Sequence, residues 1–225
     1  MRFTRKTEEN NDGNIFWITM TDLMTGLVLV FIVMFFYTYI TGHLVKVEEK
    51  LITENANKTL QQTLQDKNIE AVVDTATGVV KIQDLELFEL NSYELSDKGK
   101  EYLDKFTPTY IDSLFSNEYL NENIEKIIIQ GHTDSQTFVG EYSEDEQYMK
   151  NMDLSLNRAW EVANYMTKTS YDKTNGDKFR KMILVEGASS SEPVLVDGKE
   201  DFAKSRRVEL KLVLKKAKLR EQPQQ

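Results

Sequence analysis

One stretch of this chain is too long and too apolar for the surface of a soluble domain. Residues 15–41 read IFWITMTDLMTGLVLVFIVMFFYTYIT, and Asp22 is the only acidic or basic side chain among them. At a rise of about 1.5 Å per residue, a helix of this length crosses the roughly 30 Å hydrocarbon core of a bilayer. A carboxyl group inside such a span costs at least about 2.5–3.5 kcal/mol on insertion. The run therefore predicts a transmembrane helix whose single acid has a function.

Both ends of the run carry aromatic residues typical of a membrane interface, with Trp17 near the first end and Tyr37 and Tyr39 near the second. A cleavable signal peptide would be shorter, without an acid, and would end in small residues. The basic residues do not decide the orientation, because both ends carry similar numbers of them: Arg2, Arg5 and Lys6 before the run, and Lys46, Lys50 and Lys58 after it.

One face of the predicted helix is small and polar. Thr19, Asp22, Thr25 and Gly26 are spaced by three and four residues, so they share a face that suits close packing against another helix. A desolvated carboxyl group favours its neutral form until water or a cation reaches it, so Asp22 could carry an ion with Thr19 and Thr25 beside it. The residues alone equally allow a structural acid that hydrogen-bonds across a helix pair.

Composition narrows the function of the remaining chain. The protein has 225 residues, a formal net charge of −9, no cysteine and two histidines. An acidic chain argues against nucleic acid as a partner, since phosphate binding needs a basic face. The absence of cysteine makes a zinc site of the usual ligand set unlikely on chemical grounds, and no metal is expected. No phosphate loop or nucleophile motif is present, so we do not expect an enzyme.

The pattern along the chain predicts five segments, with the membrane helix second. Residues 43–68 have a weak apolar seam that is typical of a pairing helix or a connector. The predicted segments are a short N-terminal tail at 1–14, the membrane helix at 15–41, a helical linker at 42–68, a globular domain at 69–215 and a flexible tail at 216–225.

Within the globular domain, strand and helix patterns alternate. AVVDTATGVVKIQ predicts two short strands around a Thr-Gly turn, and IEKIIIQG, KMILVEG and RRVELKLVL predict three more. Ser96 is a predicted N-cap for one helix, and LSLNRAWEVANYMTK predicts another, with Ala159, Val162, Ala163 and Met166 toward the core. We therefore expect an α+β domain with helices packed on one face of a mixed β-sheet.

Several motifs of this domain resemble the OmpA-like peptidoglycan-binding family, in the same order. They are DLELFELNSYELSDKGKEYLDKF, IIIQGHTD, NMDLSLNRA, EGASSSEPV and KSRRVEL. The resemblance implies that Asp134 and Arg158 hold the diaminopimelate part of the stem peptide, a carboxylate on its ammonium and a guanidinium on its carboxylate. Further contacts that the resemblance implies are Phe88, Glu89, Thr133, Asn151, Leu154, Ser155 and Arg207. From the residues alone, Asp134 and Arg158 could instead pair only with each other and brace a turn.

The membrane segment WITMTDLMTGLVLVFIVMFFY resembles the transmembrane helix of MotB-type motor subunits, and its D-L-M-T-G-L form resembles the B subunits of Zorya anti-phage systems. The resemblance implies an inner-membrane protein with a cytoplasmic N-terminus and a periplasmic domain. It also implies a homodimer inside a ring of a MotA-like or ZorA-like membrane subunit, in a 5:2 assembly. The expected function is a wall-anchored, ion-driven motor subunit for defence, with H⁺ favoured over Na⁺ and no cofactor. The alternatives are a flagellar-type stator and a passive peptidoglycan tether.

Three remaining features have simpler interpretations. His132 in the G-H-T-D turn is expected to be a packing residue, and His43 an interfacial one. The acidic residues Glu141, Glu144, Asp145 and Glu146 are expected in a solvated loop. The segment 135–150 is longer and more acidic than the corresponding loop of the family, and could cover the site or alter access to it.

Overall fold

A single helix, α1 (Asn11–Asp66), contains the apolar run. The computed structural model describes residues 11–89, 92–136, 138–169 and 172–215, and the predicted tails at 1–10 and 216–225 lie outside them. Residues 11–14, predicted as part of the first tail, are already helical. Phe16–Leu44 is long and apolar enough to cross a membrane, with a mean hydropathy of 2.3.

The chain forms two compact units, Met1–Leu51 and Ile52–Gln225. Within the second unit, the elements after α1 follow in this order: β1 (Val72–Val73), β2 (Val80–Gln83), α2 (Asp84–Leu87), α3 (Asp97–Ser116), α4 (Glu118–Asn123), β3 (Ile124–His132), α5 (Glu144–Lys168), α6 (Lys173–Met182), β4 (Ile183–Gly187), β5 (Leu195–Val196), β6 (Lys199–Glu200), α7 (Phe202–Ser205) and β7 (Arg207–Leu214).

Five strands form one mixed sheet in the order β1-β2-β7-β3-β4. The pairs β1–β2, β2–β7 and β7–β3 are antiparallel, whereas β3 and β4 run parallel. The parallel pair needs a crossover connection, which α5 and α6 supply. Strands β5 and β6 form a separate antiparallel hairpin. The expected mixed sheet with packed helices is therefore confirmed.

The core lies between the sheet and the helices. Its buried apolar side chains come from all of the larger elements of the domain, among them Ile82, Leu103, Phe106, Ile111, Ile127, Ile129, Val162, Met166, Phe179, Val208 and Leu210. The predicted core residues of α5 are all buried: Ala159, Val162, Ala163 and Met166. Ser96 accepts a hydrogen bond from the Gly99 amide at 2.9 Å and is the predicted N-cap of α3.

The last turns of α1 are part of this core. The apolar spacing in residues 43–68 predicted only a pairing helix or a connector. Leu60 and Leu64 are buried, and Asn57 donates from Nδ2 to the carbonyl of Thr75 at 3.1 Å. Gln61 accepts from the Val73 amide at 2.7 Å. A segment with sparse apolar residues is therefore fixed to the first hairpin by its amide side chains as well as by its leucines.

Helix α5 begins earlier than the sequence pattern indicated. Residues 144–150, predicted as loop, form its first two turns. Ser143 and Glu146 make a capping box, in which the side chain of each bonds to the backbone amide of the other. Capping and the acidic first turn stabilise a helix N-terminus, which is why a polar segment is helical here.

Candidate functional site

Asp134 lies directly after β3, at the end of the G-H-T-D turn, and is 6 % exposed. Its Oδ2 forms a short ion pair with Nη1 of Arg206, and its Oδ1 accepts from the Gln136 amide at 3.2 Å. The Thr133 amide donates to the carbonyl of Ser189 at 3.0 Å, which fixes the turn to the loop after β4. Asp134 is thus a buried carboxylate whose partner comes from the segment before β7.

Arg158 projects from the middle of α5 and is 2 % exposed. Its Nη1 lies 3.1 Å from Oδ1 of Asp84, and its Nε donates to the carbonyl of Ser92 at 2.9 Å. The guanidinium also stacks over the Phe88 ring, with 5.3 Å between the guanidinium carbon and the ring centroid. Asp134 and Arg158 therefore have different partners, so the interpretation in which they pair only with each other does not describe this site.

Four charged side chains interact in this region: Asp84, Asp134, Arg158 and Arg206. Burial raises the pKa of Asp84 to about 6, although the charges of Arg158 and Arg206 oppose that rise. Burial also lowers the pKa of Arg158, while Asp84 opposes the decrease. The two carboxylates and the two guanidinium groups form two ion pairs, Asp84 with Arg158 and Asp134 with Arg206. Such a site can bind a zwitterion, because it offers both signs of charge within a small volume.

Arg206 is the more accessible of the two arginines, since its side chain is 21 % exposed against 2 % for that of Arg158. Its Nε is buried and has no hydrogen-bond partner among the described residues. The carbonyl of Arg206 accepts from the Asp84 amide at 3.1 Å, which joins the two ion pairs through the backbone. The sequence analysis did not predict a role for Asp84. In the S-R-R motif it predicted Arg207 as a contact and not Arg206.

Arg207, which the resemblance implied as a contact, lies in an adjacent charged cluster on the sheet. Its Nε bonds to Oε1 of Glu209 at 2.6 Å, and its Nη1 bonds to the carbonyls of Glu192 and Ser205. Arg206 precedes β7 and pairs with Asp134, whereas Arg207 is the first residue of β7 and pairs with Glu209. The implied role of Arg207 at the wall site stays a prediction, and its side chain is already engaged.

His132 belongs to the same cluster and is 1 % exposed. Its Nε2 lies 3.6 Å from Glu209 and its Nδ1 lies 4.0 Å from Glu192. These three groups are close enough to suggest a cation site. However, Arg207 and Lys211 already lie 2.6 and 3.2 Å from Glu209, so their positive charges disfavour a metal ion there. Burial alone would raise the pKa of Glu209, but the contacts with His132 and Arg207 hold it well below its ordinary value.

The remaining implied residues form the support of the site. Ser155 is fully buried, and its Oγ accepts from the Ser189 amide at 3.0 Å. Gly131 is required opposite it, because a Cβ there would lie 2.0 Å from the Ser155 carbonyl. Thr133 is 3 % exposed, and its hydroxyl has no partner among the described residues. Leu154 is half-buried on α5, and Asn151 is 6 % exposed two turns before Arg158.

Phe88 and Glu89 follow α2 and differ in their surroundings. Phe88 is 3 % exposed and forms an isolated β-bridge with Leu95, whereas Glu89 is exposed. The bridge joins the two sides of the segment that contains Ser92. The Phe88 ring packs against the Arg158 guanidinium, and the Ser92 carbonyl accepts a hydrogen bond from it.

Asp22 lies in the other compact unit, on an exposed part of α1. The neighbouring hydroxyls are satisfied within the helix, because Thr19 bonds to the Phe16 carbonyl at 3.0 Å and Thr25 to the Thr21 carbonyl at 2.7 Å. Hydroxyls that bond to the preceding turn are tolerated in lipid, whereas a carboxyl group has no such backbone partner. Among the described residues, no side chain or carbonyl is a partner of the Asp22 carboxyl group.

The chain resembles known proteins over both units. Residues 87–207 match the family model described as OmpA family. The chain is 33 % identical to Zorya protein ZorB from Escherichia coli strain Crooks over 224 residues, covering 93 % of this chain and 92 % of that protein. It is 25 % identical to Zorya protein ZorB from Escherichia coli O139:H28 over 221 residues, covering 92 % and 84 %. The crystal structure of a MotB-like protein from Desulfovibrio vulgaris superposes with a TM-score of 0.53 at 19 % identity, covering 77 % of this chain and 98 % of that one, which supports the fold alone.

Proposed function

The chain belongs to the family of Zorya protein ZorB and, through residues 87–207, to the OmpA family, and from this premise we propose that it is the wall-anchored subunit of an ion-driven membrane motor in anti-phage defence. In this role α1 crosses the inner membrane from a cytoplasmic N-terminus, and the OmpA-family domain lies in the periplasm. Two copies act inside a ring of a larger membrane subunit of the MotA or ZorA type, with five copies of that subunit.

The observation that carries the proposal is the position of Asp22. It is the only Asp, Glu, Lys or Arg in Phe16–Leu44, and it shares a helix face with Thr19 and Thr25. A passive anchor has no use for a carboxyl group at this depth, whereas an ion carrier requires one. Binding and release of H⁺ at Asp22 changes the charge at the helix interface, and this change drives the rotation of the surrounding subunit.

The OmpA-family domain supplies the fixed point against which such a motor works. The acid and the arginine of each ion pair match the ammonium and the carboxylate of a diaminopimelate residue. Asp134 takes the ammonium in this proposal, and Arg158 and Arg206 provide the positive charge for the carboxylate.

Two substitutions at Asp22 test the proposal in cells that express the whole defence system. Asp22→Asn keeps the size and polarity but cannot ionise, so we expect loss of protection in a phage plaque assay. Asp22→Glu keeps the carboxyl group and is expected to retain part of the protection. Thr38→Val, on the same helix away from the acid, is the control and is expected to protect like the wild type.

The same assay separates the alternatives. A passive tether would protect with Asp22→Asn and lose protection with Asp134→Ala, whereas a motor needs both residues. A flagellar-type stator would change swimming in soft agar and leave phage plating unchanged. Full protection by Asp22→Asn at normal expression would contradict the ion-carrier role.

A further inference from the structure

Asp84 is the buried acid at the start of α2, and the proposed wall clamp gives it no part. It is 3 % exposed, and its Oδ1 lies 3.1 Å from Nη1 of Arg158. The backbone fixes its position, because its amide donates to the carbonyl of Arg206 at 3.1 Å and its carbonyl accepts from the Phe88 amide at 2.9 Å. The carboxylate of Asp84 therefore occupies part of the guanidinium to which the clamp assigns the ligand carboxylate.

The charges that face Asp84 come from three other parts of the domain. Arg158 of α5 and Arg206 before β7 favour its ionised form, whereas Asp134 after β3 disfavours it. These four side chains form one small cluster in which the charges balance. An anion that enters the cluster therefore changes the ionisation of Asp84.

The other charged groups on α2, on α3 and in the segment between them are partly or fully exposed. Glu86 of α2 pairs with Lys98 of α3 at 3.0 Å, and Glu89 and Glu94 are exposed. Solvent and salt screen charges in such positions, so they act weakly on a buried group. The ionisation of Asp84 therefore depends mainly on the buried cluster and on what binds there.

Arg158 can hold Asp84 and a second carboxylate at the same time, because a guanidinium donates from each of its nitrogens. Its Nε donates to the Ser92 carbonyl and its Nη1 pairs with Asp84, so among the described residues Nη2 is left for a ligand carboxylate. The Phe88 ring packs against the guanidinium and supports this orientation. Two carboxylates on one guanidinium repel each other, and the weaker acid of such a pair takes up a proton.

Asp84 is the weaker acid of the pair. Burial raises its pKa to about 6, whereas the free carboxyl group at the end of a peptide has a pKa of about 3.5. The ammonium of a zwitterionic ligand compensates part of the added charge, but the clamp assigns it to Asp134, at the other ion pair. A ligand carboxylate at Arg158 therefore favours the protonated form of Asp84.

We propose that Asp84 is a positioning residue that takes up a proton when a carboxylate of the stem peptide binds Arg158, so that attachment to the wall depends on pH; the proposal rests on the wall-binding function above. Before binding, the ionised form holds the guanidinium in place. After binding, the protonated form leaves the positive charge of Arg158 to the ligand. Because binding takes up a proton, the affinity rises as the pH falls, and it levels off below about pH 6, where Asp84 already carries the proton.

Calorimetry with the stem tripeptide that ends in diaminopimelate tests the proposal on the full-length protein in detergent. We expect the wild type to bind about fivefold more tightly at pH 6 than at pH 8, because the bound state holds more of the proton. Titrations at pH 7 in two buffers that differ in ionisation enthalpy measure the proton uptake directly. We expect uptake of a fraction of a proton per ligand, and this measurement needs no variant.

Asp84→Asn keeps an oxygen for Nη1 of Arg158 but cannot take up a proton. We expect this variant to bind the tripeptide with about the same affinity at pH 6 and pH 8, and without proton uptake. Any titration of the ligand itself is common to both proteins, so the difference between them reports Asp84. Glu86→Gln is the matched control, because it removes another acid of α2, one that pairs with Lys98. It should keep both the fivefold ratio and the uptake.

The outcomes separate this proposal from the wall-binding function. If the wild type binds the tripeptide equally well at pH 6 and pH 8 and takes up no proton, the role of Asp84 is overturned while the clamp stands. If Asp84→Asn only weakens binding equally at each pH and keeps the pH dependence, the proton belongs to another group and the proposal also falls. Absence of tripeptide binding by the wild type at every pH removes the clamp and this proposal together.

Discussion

Arg158 and Asp84 form a buried ion pair, with 3.1 Å between Nη1 and Oδ1 and side-chain exposures of 2 % and 4 %. The pair joins the middle of α5 to the first residue of α2 and lies beside the second pair, Asp134 with Arg206. Charges buried this deeply lose their hydration, so each depends on its partner for compensation. The same guanidinium is the group to which the proposed function assigns the ligand carboxylate.

A double-mutant cycle measures the dependence of Arg158 and Asp84 on each other. Arg158→Met removes the charge and leaves Asp84 buried without a partner, so we expect a loss of about 3–5 kcal/mol in the free energy of unfolding. Asp84→Asn keeps an oxygen for Nη1 and should cost less. In the double variant the two losses should not add, with a coupling energy of about 1–3 kcal/mol. Urea unfolding of the unit Ile52–Gln225 gives all three values, and additive losses would contradict a coupled pair.

The pH dependence of stability should carry a signature of Asp84. Burial raises its pKa from 3.8 to about 6, so the folded state binds the proton more tightly than the unfolded state. The stability that the protonated Asp84 contributes to the folded state is therefore fully present below pH 3.8, and it is lost as the pH rises through about 6. This change corresponds to about 3 kcal/mol. Asp84→Asn should lack it, so the stability of the wild type relative to the variant should fall between pH 4 and pH 6 in urea unfolding. Parallel curves for the two proteins would show that Asp84 does not titrate in this range.

Arg206 and Arg207 are adjacent in sequence but should respond differently to the same substitution. Arg206→Gln removes the cation that pairs with Asp134, so we expect less of the protein to sediment with purified sacculi. Because the Arg206 side chain is partly exposed, we expect only a small change in the free energy of unfolding. Arg207→Gln leaves Glu209 buried with Lys211 as its nearest remaining cation, so we expect a loss of about 2 kcal/mol in the free energy of unfolding. Wall binding by the folded fraction of Arg207→Gln should be retained. The reverse pattern would assign the wall contact to Arg207, as the family resemblance implied.

The last turns of α1 should be needed for the stability of the unit Ile52–Gln225. Leu64 is fully buried in its core, so Leu64→Ala is expected to cost about 2–5 kcal/mol. Leu85→Ala is the matched control, because Leu85 is 56 % exposed and its truncation should change stability by less than about 0.5 kcal/mol. Thermal unfolding of the unit Ile52–Gln225 compares the two. Equal melting temperatures would mean that this part of α1 is only a connector.

Features encoded in neighbouring residues were predictable from the sequence. The apolar run predicted the membrane helix, Ser96 predicted the start of α3, and alternating patterns predicted the mixed sheet. The early start of α5 was also readable, since Ser143 and Glu146 have the spacing of a capping box, but the acidic composition of the segment indicated a loop instead. The pattern of RRVELKLVL predicted a strand, but it did not predict that the charged side chains of Arg207 and Glu209 are buried. His132 of β3 lies 3.6 Å from Glu209, and the carbonyl of Glu192 in the loop after β4 accepts from Arg207.

By itself the sequence predicted a membrane-spanning helix with one acid and an OmpA-like domain, and its motifs implied Asp134 and Arg158 as site residues, because hydropathy, periodicity and short motifs are local properties of the chain. The tertiary structure decided which charges meet. Asp84 and Arg158 are 74 positions apart in sequence and Asp134 and Arg206 are 72 apart, and each pair depends on how β2, β3, α5 and β7 pack. The energy of a buried charge depends on the partner that packing brings to it, and no local pattern specifies that partner.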